Sequence, residues 1–351
     1  MLINSSEHKS PQIISITGVS VVICCHNSAN LLPITLQHLR NQKTDSKVQW
    51  EILVVDNAST DSTSNIAKEN WISEFTVPLR IVHESKLGLS FARHRGFSEA
   101  KFEIVSFVDD DNWLCPEWVQ TVAQVMSEHP EVGACGGYSE AVCEITKPSW
   151  FESFKLFYAV GSQGEEGGDV TESRGLLWGA GLSIRKSAWQ QLMESGFQSV
   201  LSDRTGTQLM SGGDSELCLA LRLSGWRLWF EPSLKLQHFL PIRRLNWKYL
   251  RSMVRGSGAA TAGLDPYYFA MRPVKTGFRA RLGKMWQLKV CRMVIKLLRR
   301  PHKLFLYPFC EFEGDASIIE IEAQFGRLSQ LLRKRKTYHS TILQTLKIFS
   351  R

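Results

Sequence analysis

The sequence predicts an α/β protein with a doubly wound, mostly parallel sheet and a helical C-terminal extension. Apolar, β-branched runs alternate with helical patterns from residue 19 to residue 128, as in right-handed βαβ units. The first of these runs, VSVVICC, is apolar almost throughout, which is typical of a strand buried on both faces. The C-terminal third contains helical patterns instead. These observations together favour an open sheet covered by helices.

Turn-forming and helix-capping residues mark the boundaries of the predicted strands and helices. Pro33 is tolerated in the first turn of the helix after the first strand, and residues 56–61 are rich in turn and N-cap residues ahead of another helix. A loop containing Gly and Glu near residues 161–168 separates two later strands. Strands are predicted at residues 19–25, 51–55, 79–83, 104–108, 131–141, 176–185 and 226–231, and helices from residue 33, after residue 61, at 88–100, at 116–128, from residue 213 and at 284–300.

Composition indicates a protein of the cytoplasm. Hydrophobic residues make up 43% and charged residues 22% of the 351, which is ordinary for a globular chain. The polar N-terminus lacks the pattern of a signal peptide, and no apolar run reaches the ~20 residues of a membrane-spanning helix. The eight cysteines include no C-x-x-C pair, which favours reduced thiols. We expect a disordered N-terminus at residues 1–14, an α/β domain at 15–245 and a mainly helical, basic region at 246–351.

Positive charge is concentrated at the C-terminus. Residues 271–351 contain 18 Lys and Arg against 5 Asp and Glu, a net charge of +13, whereas residues 1–270 contain 24 basic and 29 acidic residues, a net charge of −5. Residues 284–300 form a basic amphipathic pattern, and residues 333–336 add a second basic cluster. Docking on the α/β domain and contact with a membrane surface both fit this pattern. Nucleic acid fits less well, because no nucleic-acid-binding module is present.

Three adjacent carboxylates, Asp109, Asp110 and Asp111, follow the strand predicted at residues 104–108. Adjacent carboxylates repel one another unless a cation or solvent screens them. Ligands of open α/β sheets bind at the C-terminal ends of strands. The segment therefore reads either as a divalent-metal and diphosphate site or as a solvated acidic turn capped by Asn112, and these residues alone leave both open.

A series of motifs in order gives the chain a family resemblance. They are VSVVICCHN, VVDNASTD, GLSFARHRG, FVDDDNWLCP, WGAG and GGDSELCLALRLSGWRLWFEP, followed by His238. This set resembles an inverting glycosyltransferase of family 2 with the GT-A, nucleotide-diphospho-sugar transferase fold. The resemblance spans residues 18–238, and its strength lies in the order of the motifs and their positions at strand ends.

The resemblance implies a site for the donor nucleotide. The segment after the first strand and the acid after the second would hold the base and ribose, and an arginine of the third motif would pair with phosphate oxygens. The donor-binding residues implied are Cys25, His26, Asn27, Asp56, Gly88, Arg93, Arg95 and Asp109.

The resemblance also implies a divalent cofactor, Mn²⁺ or Mg²⁺. Asp111 would bind the ion that bridges the diphosphate, and Asp109 would contact the ribose or a metal-bound water. Oxygen ligands suit these ions. Many relatives have a metal-ligating or phosphate-facing histidine at the position of His238, although a lone histidine is more often structural. Asp110 is expected to matter least of the three carboxylates.

Asp214 matches the second acid of the family's usual Glu-Asp pair and would act as general base. Gly213 stands in place of the Glu, and Glu216 could substitute for it in holding the acceptor. Trp178, Gly179 and Ala180 match the segment that lines the acceptor pocket. A helix N-cap is the structural alternative for Asp214, and a core position is the alternative for Trp178.

The implied function is metal-dependent transfer of a sugar from a UDP- or GDP-linked donor to a glycan or lipid-linked acceptor in cell-surface polysaccharide synthesis. The basic C-terminal helices would add a peripheral contact on the inner face of the membrane, with no nucleic-acid partner. A nicotinamide-dependent enzyme would need glycines where HNSANL has none. A nucleotidyltransferase shares the sheet and the acidic site but usually has a Gly-rich phosphate loop. A non-catalytic protein that binds a membrane or polyanion through a degenerate transferase domain is the other alternative.

Overall fold

A single mixed sheet organises the part of the chain that the computed structural model describes, namely residues 18–71, 76–201, 212–272, 284–299, 301, 304, 307 and 313–349. Nine strands of this part join in the sheet in the order β3-β2-β1-β4-β8-β6-β9-β5, with β7 paired to β9. The strands are β1 Gly18–Cys25, β2 Gln49–Asn57, β3 Leu79–Glu84, β4 Ile104–Val108, β5 Asn112–Leu114, β6 Val132–Cys143, β7 Gly168–Asp169, β8 Ser183–Arg185 and β9 Arg227–Leu240.

Helices cover both faces of the sheet and continue into the C-terminal region. They are α1 Leu32–Arg40, α2 Thr63–Glu69, α3 Leu89–Glu99, α4 Trp118–Glu128, α5 Phe151–Phe154, α6 Lys186–Glu194, α7 Gly213–Leu223, α8 Trp247–Ala270, α9 Trp286–Leu298, α10 Ala316–Arg333 and α11 Tyr338–Phe349. Two 3₁₀ turns lie at Lys155–Tyr158 and Ile242–Arg244. The predicted α/β class with a helical C-terminal region is confirmed.

The first half of the sheet is parallel, as the continuous apolar runs predict. Strands β3, β2, β1 and β4 pair in parallel register, so the carboxyl ends of β1, β2 and β4 lie side by side. Successive residues of β1 enter different cores: Val22 packs with α3, whereas Val21 and Ile23 pack with α1 and α4. Burial on both faces explains why the sequence of β1 shows no polar alternation.

The second half of the sheet departs from the prediction in two places. Only Ser183–Arg185 of the predicted strand 176–185 is extended, and it pairs antiparallel to β4. Gly181 has φ +70°, and a Cβ there would lie 2.6 Å from the Trp118 ring, so the chain bends closely over α4 instead of continuing as a strand.

Strand β9 is longer than the predicted 226–231 and contains His238, which was expected to follow it. Buried Leu234, Leu236, His238 and Leu240 alternate with more exposed residues, a period of two that continues the strand beyond Pro232. The second part of β9 pairs with both β6 and β5, placing His238 opposite Asn112. These pairs bring the end of β9 to the acidic segment that follows β4.

The C-terminal helices pack on the α/β part of the chain. Ala260, Leu264 and Tyr267 of α8 join the core that contains α3 and α7. Helix α10 crosses α8 at two glycines: a Cβ on Gly258 would lie 2.1 Å from the Ala323 carbonyl oxygen, and one on Gly326 would lie 1.9 Å from that of Arg255. The absence of both Cβ atoms lets the backbones meet.

Buried acids neutralise part of the basic charge in this region. Glu322, 2% exposed, accepts from Arg251 and Arg255 at 2.7 Å each. In α9, Lys289 pairs with Asp265 at 3.0 Å and Lys296 pairs with Glu320 at 2.7 Å. The basic face of α9 therefore forms ion pairs with α8 and α10. None of the described helices is both long and apolar enough to cross a bilayer.

Replacing Gly326 by Ala should destabilise the protein, although Ala favours a helix by ~1 kcal/mol over Gly. The added methyl group overlaps the Arg255 carbonyl oxygen, so the helices must separate, at an expected net cost of about 1–3 kcal/mol. Urea unfolding measures the change. Ser329→Ala, at an exposed position of the same helix, is the matched control and should change stability by less than ~0.5 kcal/mol. Equal stability of Gly326→Ala and the native chain would contradict the close crossing.

Candidate active site

A cleft of about 280 Å³ opens at the carboxyl ends of β1, β2 and β4. Helix α3, the loop before β8, the start of α7 and the segment around the end of β9 complete its walls. The residues that line the cleft include Cys25, His26, Asn57, Gly88, Arg93, Asp109, Asp110, Asp111, Gly179, Ala180, Asp214, His238, Arg244 and Tyr249. Side chains that are far apart in sequence thus meet at one edge of the sheet.

Asn57 ties the ends of β1 and β2 to the start of α3. Its side-chain amide donates to the Lys86 carbonyl oxygen at 2.6 Å, and its Oδ1 accepts from Gly88 N at 2.8 Å. The Nδ1 atom of His26 lies 2.8 Å from the Asn57 carbonyl oxygen, which can only accept, so Nδ1 carries the hydrogen. These bonds hold one side of the cleft in place.

Asp56 lies behind this wall and does not line the cleft. Its Oδ1 accepts from Ser59 N at 3.0 Å and its Oδ2 accepts from the Ser64 hydroxyl at 2.5 Å. Burial opposes ionisation of Asp56, but the bonds from Ser59 and Ser64 hold its pKa below the ordinary value. The carboxylate is therefore a fixed, ionised group at the end of β2.

Two other predicted donor-binding residues also lie outside the cleft lining. Asn27 has φ +55°, and its Oδ1 accepts from Thr60 N at 2.8 Å, so it closes the turn between β1 and the loop after β2. Arg95 pairs with Glu99 one turn further along α3, at 3.0 Å. Arg93, in contrast, reaches the cleft.

Backbone and amide bonds hold the acidic segment in a tight turn. Asp109 N donates to Asn112 Oδ1 at 3.2 Å, and Asn112 Nδ2 donates to Asp111 Oδ1 at 3.1 Å. Thr35 donates to the Asp110 carbonyl oxygen at 2.7 Å. Asn112 thus closes the turn and orients the Asp111 carboxylate, and it is also the first residue of β5.

Asp110 lines the cleft together with Asp109 and Asp111. From the sequence, Asp110 was expected to matter least of the three. Burial, followed by the charge of Asp111, raises its pKa to about 7. The cluster therefore concentrates negative charge strongly enough to favour one protonated carboxyl or a nearby cation.

His238 presents one nitrogen to this cluster. Its Nδ1 donates to the Tyr158 carbonyl oxygen at 2.9 Å, so the Nε2 of the neutral ring carries a lone pair. Nε2 lies 3.6 Å from Asp111 Oδ1. A backbone carbonyl that fixes the other nitrogen is the usual partner of a metal-ligating histidine.

Arg244, which the sequence did not single out, makes a short charged contact with the cluster. Its Nη1 lies 2.8 Å from Asp111 Oδ2 and 3.4 Å from His238 Nε2. Burial opposes its charge, but Asp111 and the neighbouring groups raise the pKa of Arg244 above the ordinary value. No sequence motif marks Arg244, because its segment PIRRLN reads as an ordinary loop. Only the course of β9 places Arg244 beside Asp111.

Asp214 lines the same cleft as the carboxylate cluster. It lies in the first turn of α7, whose N-cap is Gly212, so its predicted alternative as N-cap is wrong. Its Oδ2 accepts from Gly179 N at 2.8 Å and its Oδ1 from Ser215 N at 2.8 Å. A Cβ on Gly179 would lie 2.6 Å from Arg93 Nη2, so a side chain there would displace the end of Arg93.

Glu216 and Trp178 do not reach the cleft, contrary to the predicted acceptor pocket. Glu216 is fully buried away from the cleft, where it accepts from Ser199, Val200 N, Leu201 N and Tyr267. Burial raises its pKa despite these bonds. The Trp178 ring stacks under Arg174, 4.6 Å from the guanidinium carbon. Gly179 and Ala180 are the members of this set that line the cleft.

The cleft combines groups that bind a cation with groups that bind an anion. Asp111 and His238 are the protein ligands best placed for a divalent ion, and both fit its preference for oxygen and imidazole donors. Within the described ranges, no three side chains of His, Cys, Asp or Glu surround a common point. An ion at Asp111 and His238 would therefore need further oxygen ligands from a bound molecule or from water.

Comparison of the sequence with known families and proteins agrees with this geometry. The family "Glycosyl transferase family 2" matches residues 20–188. EpsH of Bacillus subtilis, a putative glycosyltransferase by name, is 25% identical over 123 residues, 35% of this chain and 34% of EpsH. Chondroitin synthase of Escherichia coli is 32% identical over 123 residues, 34% of this chain and 17% of the synthase. The aligned part is thus about a third of EpsH and a smaller share of the synthase.

Solved structures extend the similarity over almost the whole chain. Staphylococcus aureus TarS 1–349 in complex with UDP superposes with a TM-score of 0.51 at 15% identity, covering 95% of this chain and 90% of that one. The complex of the same protein with UDP-GlcNAc gives a TM-score of 0.52. At this identity the likeness concerns the fold. Residues 20–188 accordingly belong to glycosyltransferase family 2, and the chain has the GT-A fold.

Proposed function

We propose that this protein is a metal-dependent inverting glycosyltransferase that moves a sugar from a nucleotide-sugar to a glycan or lipid-linked acceptor in cell-surface polysaccharide synthesis. The observation that carries the proposal is that Asp111, His238 and Arg244 line one cleft together with Asp214, at the ends of parallel strands. The bound UDP and UDP-GlcNAc of the TarS structures support a UDP-linked donor. The name of the chondroitin synthase supports a polysaccharide product.

Asp111 and His238 would hold Mn²⁺ or Mg²⁺ at the diphosphate. The bound ion would neutralise negative charge that develops on the leaving nucleoside diphosphate. Asn112 orients the Asp111 carboxylate and Tyr158 orients the His238 ring, so both ligands are fixed before the donor binds. Mg²⁺ sites commonly combine one or two protein ligands with substrate phosphates, which fits Asp111 and His238 as the pair of protein ligands here.

The opposite side of the cleft would bind the nucleotide. His26 and Asn57 line the cleft at the ends of β1 and β2, where hydrogen-bonding groups for a base and ribose are available. The first turn of α3 lies on the cleft wall together with Arg93. A helix N-terminus and a guanidinium both favour phosphate, so this turn is the proposed position of the diphosphate.

Asp214 would act as general base. It would take the proton of an acceptor hydroxyl while that oxygen forms a bond to the anomeric carbon and the bond to the diphosphate breaks. One displacement of this kind inverts the anomeric centre. Two backbone N–H groups, of Gly179 and Ser215, donate to the carboxylate and keep it oriented. Because Gly213 replaces the usual Glu and Glu216 is buried, contacts with the acceptor must come from other residues.

Binding of UDP and GDP with and without Mn²⁺ tests the donor and metal sites. The native chain should bind one of them more tightly when Mn²⁺ is present, and Asp111→Ala should lose that gain because it removes a ligand of the ion. Isothermal titration calorimetry measures the effect. Asp45→Ala, an exposed carboxylate outside the cleft, is the control and should retain the gain. Mn²⁺-dependent affinity that survives in Asp111→Ala would contradict the assignment.

Asp214→Asn should bind the donor nucleotide as the native chain does but lose sugar transfer by about 10²–10⁴-fold, the usual contribution of a general base. Asparagine keeps the shape and one acceptor for Gly179 N, so the cleft should remain intact. Turnover of radiolabelled nucleotide-sugars, with donor hydrolysis as a readout that needs no glycan acceptor, measures the loss. Unchanged transfer by this variant would place the base elsewhere.

Helix α9 carries the proposed membrane contact. Ile295 is 53% exposed and Leu298 62% exposed, and with Cys291 and Val294 they follow the i, i+3, i+4, i+7 spacing of one helix face. Arg292 and Arg299 are exposed beside this face. An apolar strip with guanidinium groups along its edge is complementary to an anionic bilayer surface. Such a contact would place the cleft close to a lipid-linked acceptor.

The double substitution Ile295→Ser and Leu298→Ser should weaken binding to phosphatidylglycerol-containing vesicles by about tenfold or more, because it removes apolar surface that would enter the bilayer. Co-sedimentation of the full chain measures the change, and vesicles of phosphatidylcholine alone should bind weakly. Leu343→Ser, a similarly exposed leucine on α11, serves as the matched control and should bind as the native chain does. If the double variant and the control sediment equally, α9 is not the membrane contact.

A further inference from the structure

We propose that Arg244 is a second cation of the diphosphate site, which exchanges Asp111 for phosphate oxygens when a divalent ion binds Asp111. The inference rests on the proposed transfer from a nucleotide-sugar and names a residue that would stabilise its leaving group. It starts from the short contact of Arg244 with the carboxylate best placed to hold the ion.

The position of the guanidinium overlaps the position that an ion would need. Arg244 Nη1 lies 2.8 Å from Asp111 Oδ2 and 3.4 Å from His238 Nε2, so it sits between the two proposed ligands. If Asp111 and His238 held a divalent ion, the guanidinium would lie close enough for the two positive charges to repel each other. Binding of the ion should therefore displace the guanidinium from Asp111.

The backbone of Arg244 restricts where the displaced side chain can go. The 3₁₀ turn Ile242–Arg244 ends there, and the Tyr158 hydroxyl donates to the Arg244 carbonyl oxygen at 2.9 Å. Tyr158 also holds His238 through its own carbonyl oxygen, so a single residue fixes both groups. The Arg244 side chain is 17% exposed and its open side is the cleft. Displacement therefore moves the charge within the cleft, towards the proposed diphosphate.

The chemistry of the leaving group gives the displaced guanidinium a function. When the bond between the anomeric carbon and the diphosphate oxygen breaks, its electron pair remains on the diphosphate, and the proton of the acceptor goes to Asp214. A planar guanidinium can donate two parallel hydrogen bonds to phosphate oxygens. Arg244 would thus share the developing charge with the divalent ion, while its pairing with Asp111 balances the carboxylate cluster in the arrangement observed.

Arg244→Met tests this role by comparing UDP with UMP, or GDP with GMP if that pair binds better. At saturating Mn²⁺, we expect the affinity for the diphosphate to fall about tenfold or more, while the monophosphate changes little, because the lost contact is to the terminal phosphate. Electron paramagnetic resonance of Mn²⁺ without nucleotide gives a second readout. The variant should bind the ion several-fold more tightly than the native chain, because a competing cation has been removed.

Two further variants make the test decisive. Arg244→Lys retains a charge without the paired donors and should recover part of the diphosphate affinity. Arg243→Met removes an exposed neighbouring arginine and should behave as the native chain does. Native-like diphosphate affinity in Arg244→Met overturns the inference and leaves the proposed function standing, as does an equal loss for diphosphate and monophosphate. A native chain that binds neither diphosphate overturns both.

Discussion

The balance of charge at the end of β4 is the constraint on which the site depends. Asp109, Asp110 and Asp111 lie in one cleft, and burial together with mutual repulsion raises the pKa of Asp110 to about 7. Arg244 compensates part of this charge at 2.8 Å from Asp111. The carboxylates that we propose to hold a divalent ion repel one another in its absence, so the fold needs a counter-charge beside them. Arg244 supplies that charge here and, under the same proposal, would supply charge to the diphosphate after it changes partner.

Strand β9 makes this arrangement possible. It pairs with β6 along most of its length and with β5 near its end, so residues about 130 positions apart in the chain, Asp111 and Arg244, become neighbours. The C-terminal helices then cover the base of the cleft from the other side. Glu216, just after the proposed base Asp214, accepts from the Tyr267 hydroxyl of α8, which links α7 to the C-terminal region. The helical extension is therefore part of the support of the site.

The family resemblance located the main carboxylates but assigned some neighbours by position alone. Asp111 and Asp214 can be found from the sequence because each follows a recognisable strand or precedes a helix. Glu216 could not be excluded in this way: it and Asp214 point to nearly opposite sides of a helix, and only the packing of α7 decides which side faces the cleft. Arg95 likewise lies two positions after Arg93 on α3 and turns away to Glu99. Angular position on a packed helix decided which member of each pair lines the cleft.

The sequence by itself determined the parallel half of the sheet, because strands buried on both faces require continuous apolar runs, and it determined the acidic ends of those strands. It also indicated that the basic charge lies at the C-terminus. Tertiary structure decided the rest. The antiparallel β8, the length of β9 and the partner of Asp111 depend on pairing between distant segments, for which PIRRLN and WGAG carry no local signal. Local patterns specify which residues are buried, whereas only the assembled sheet specifies which polar groups meet.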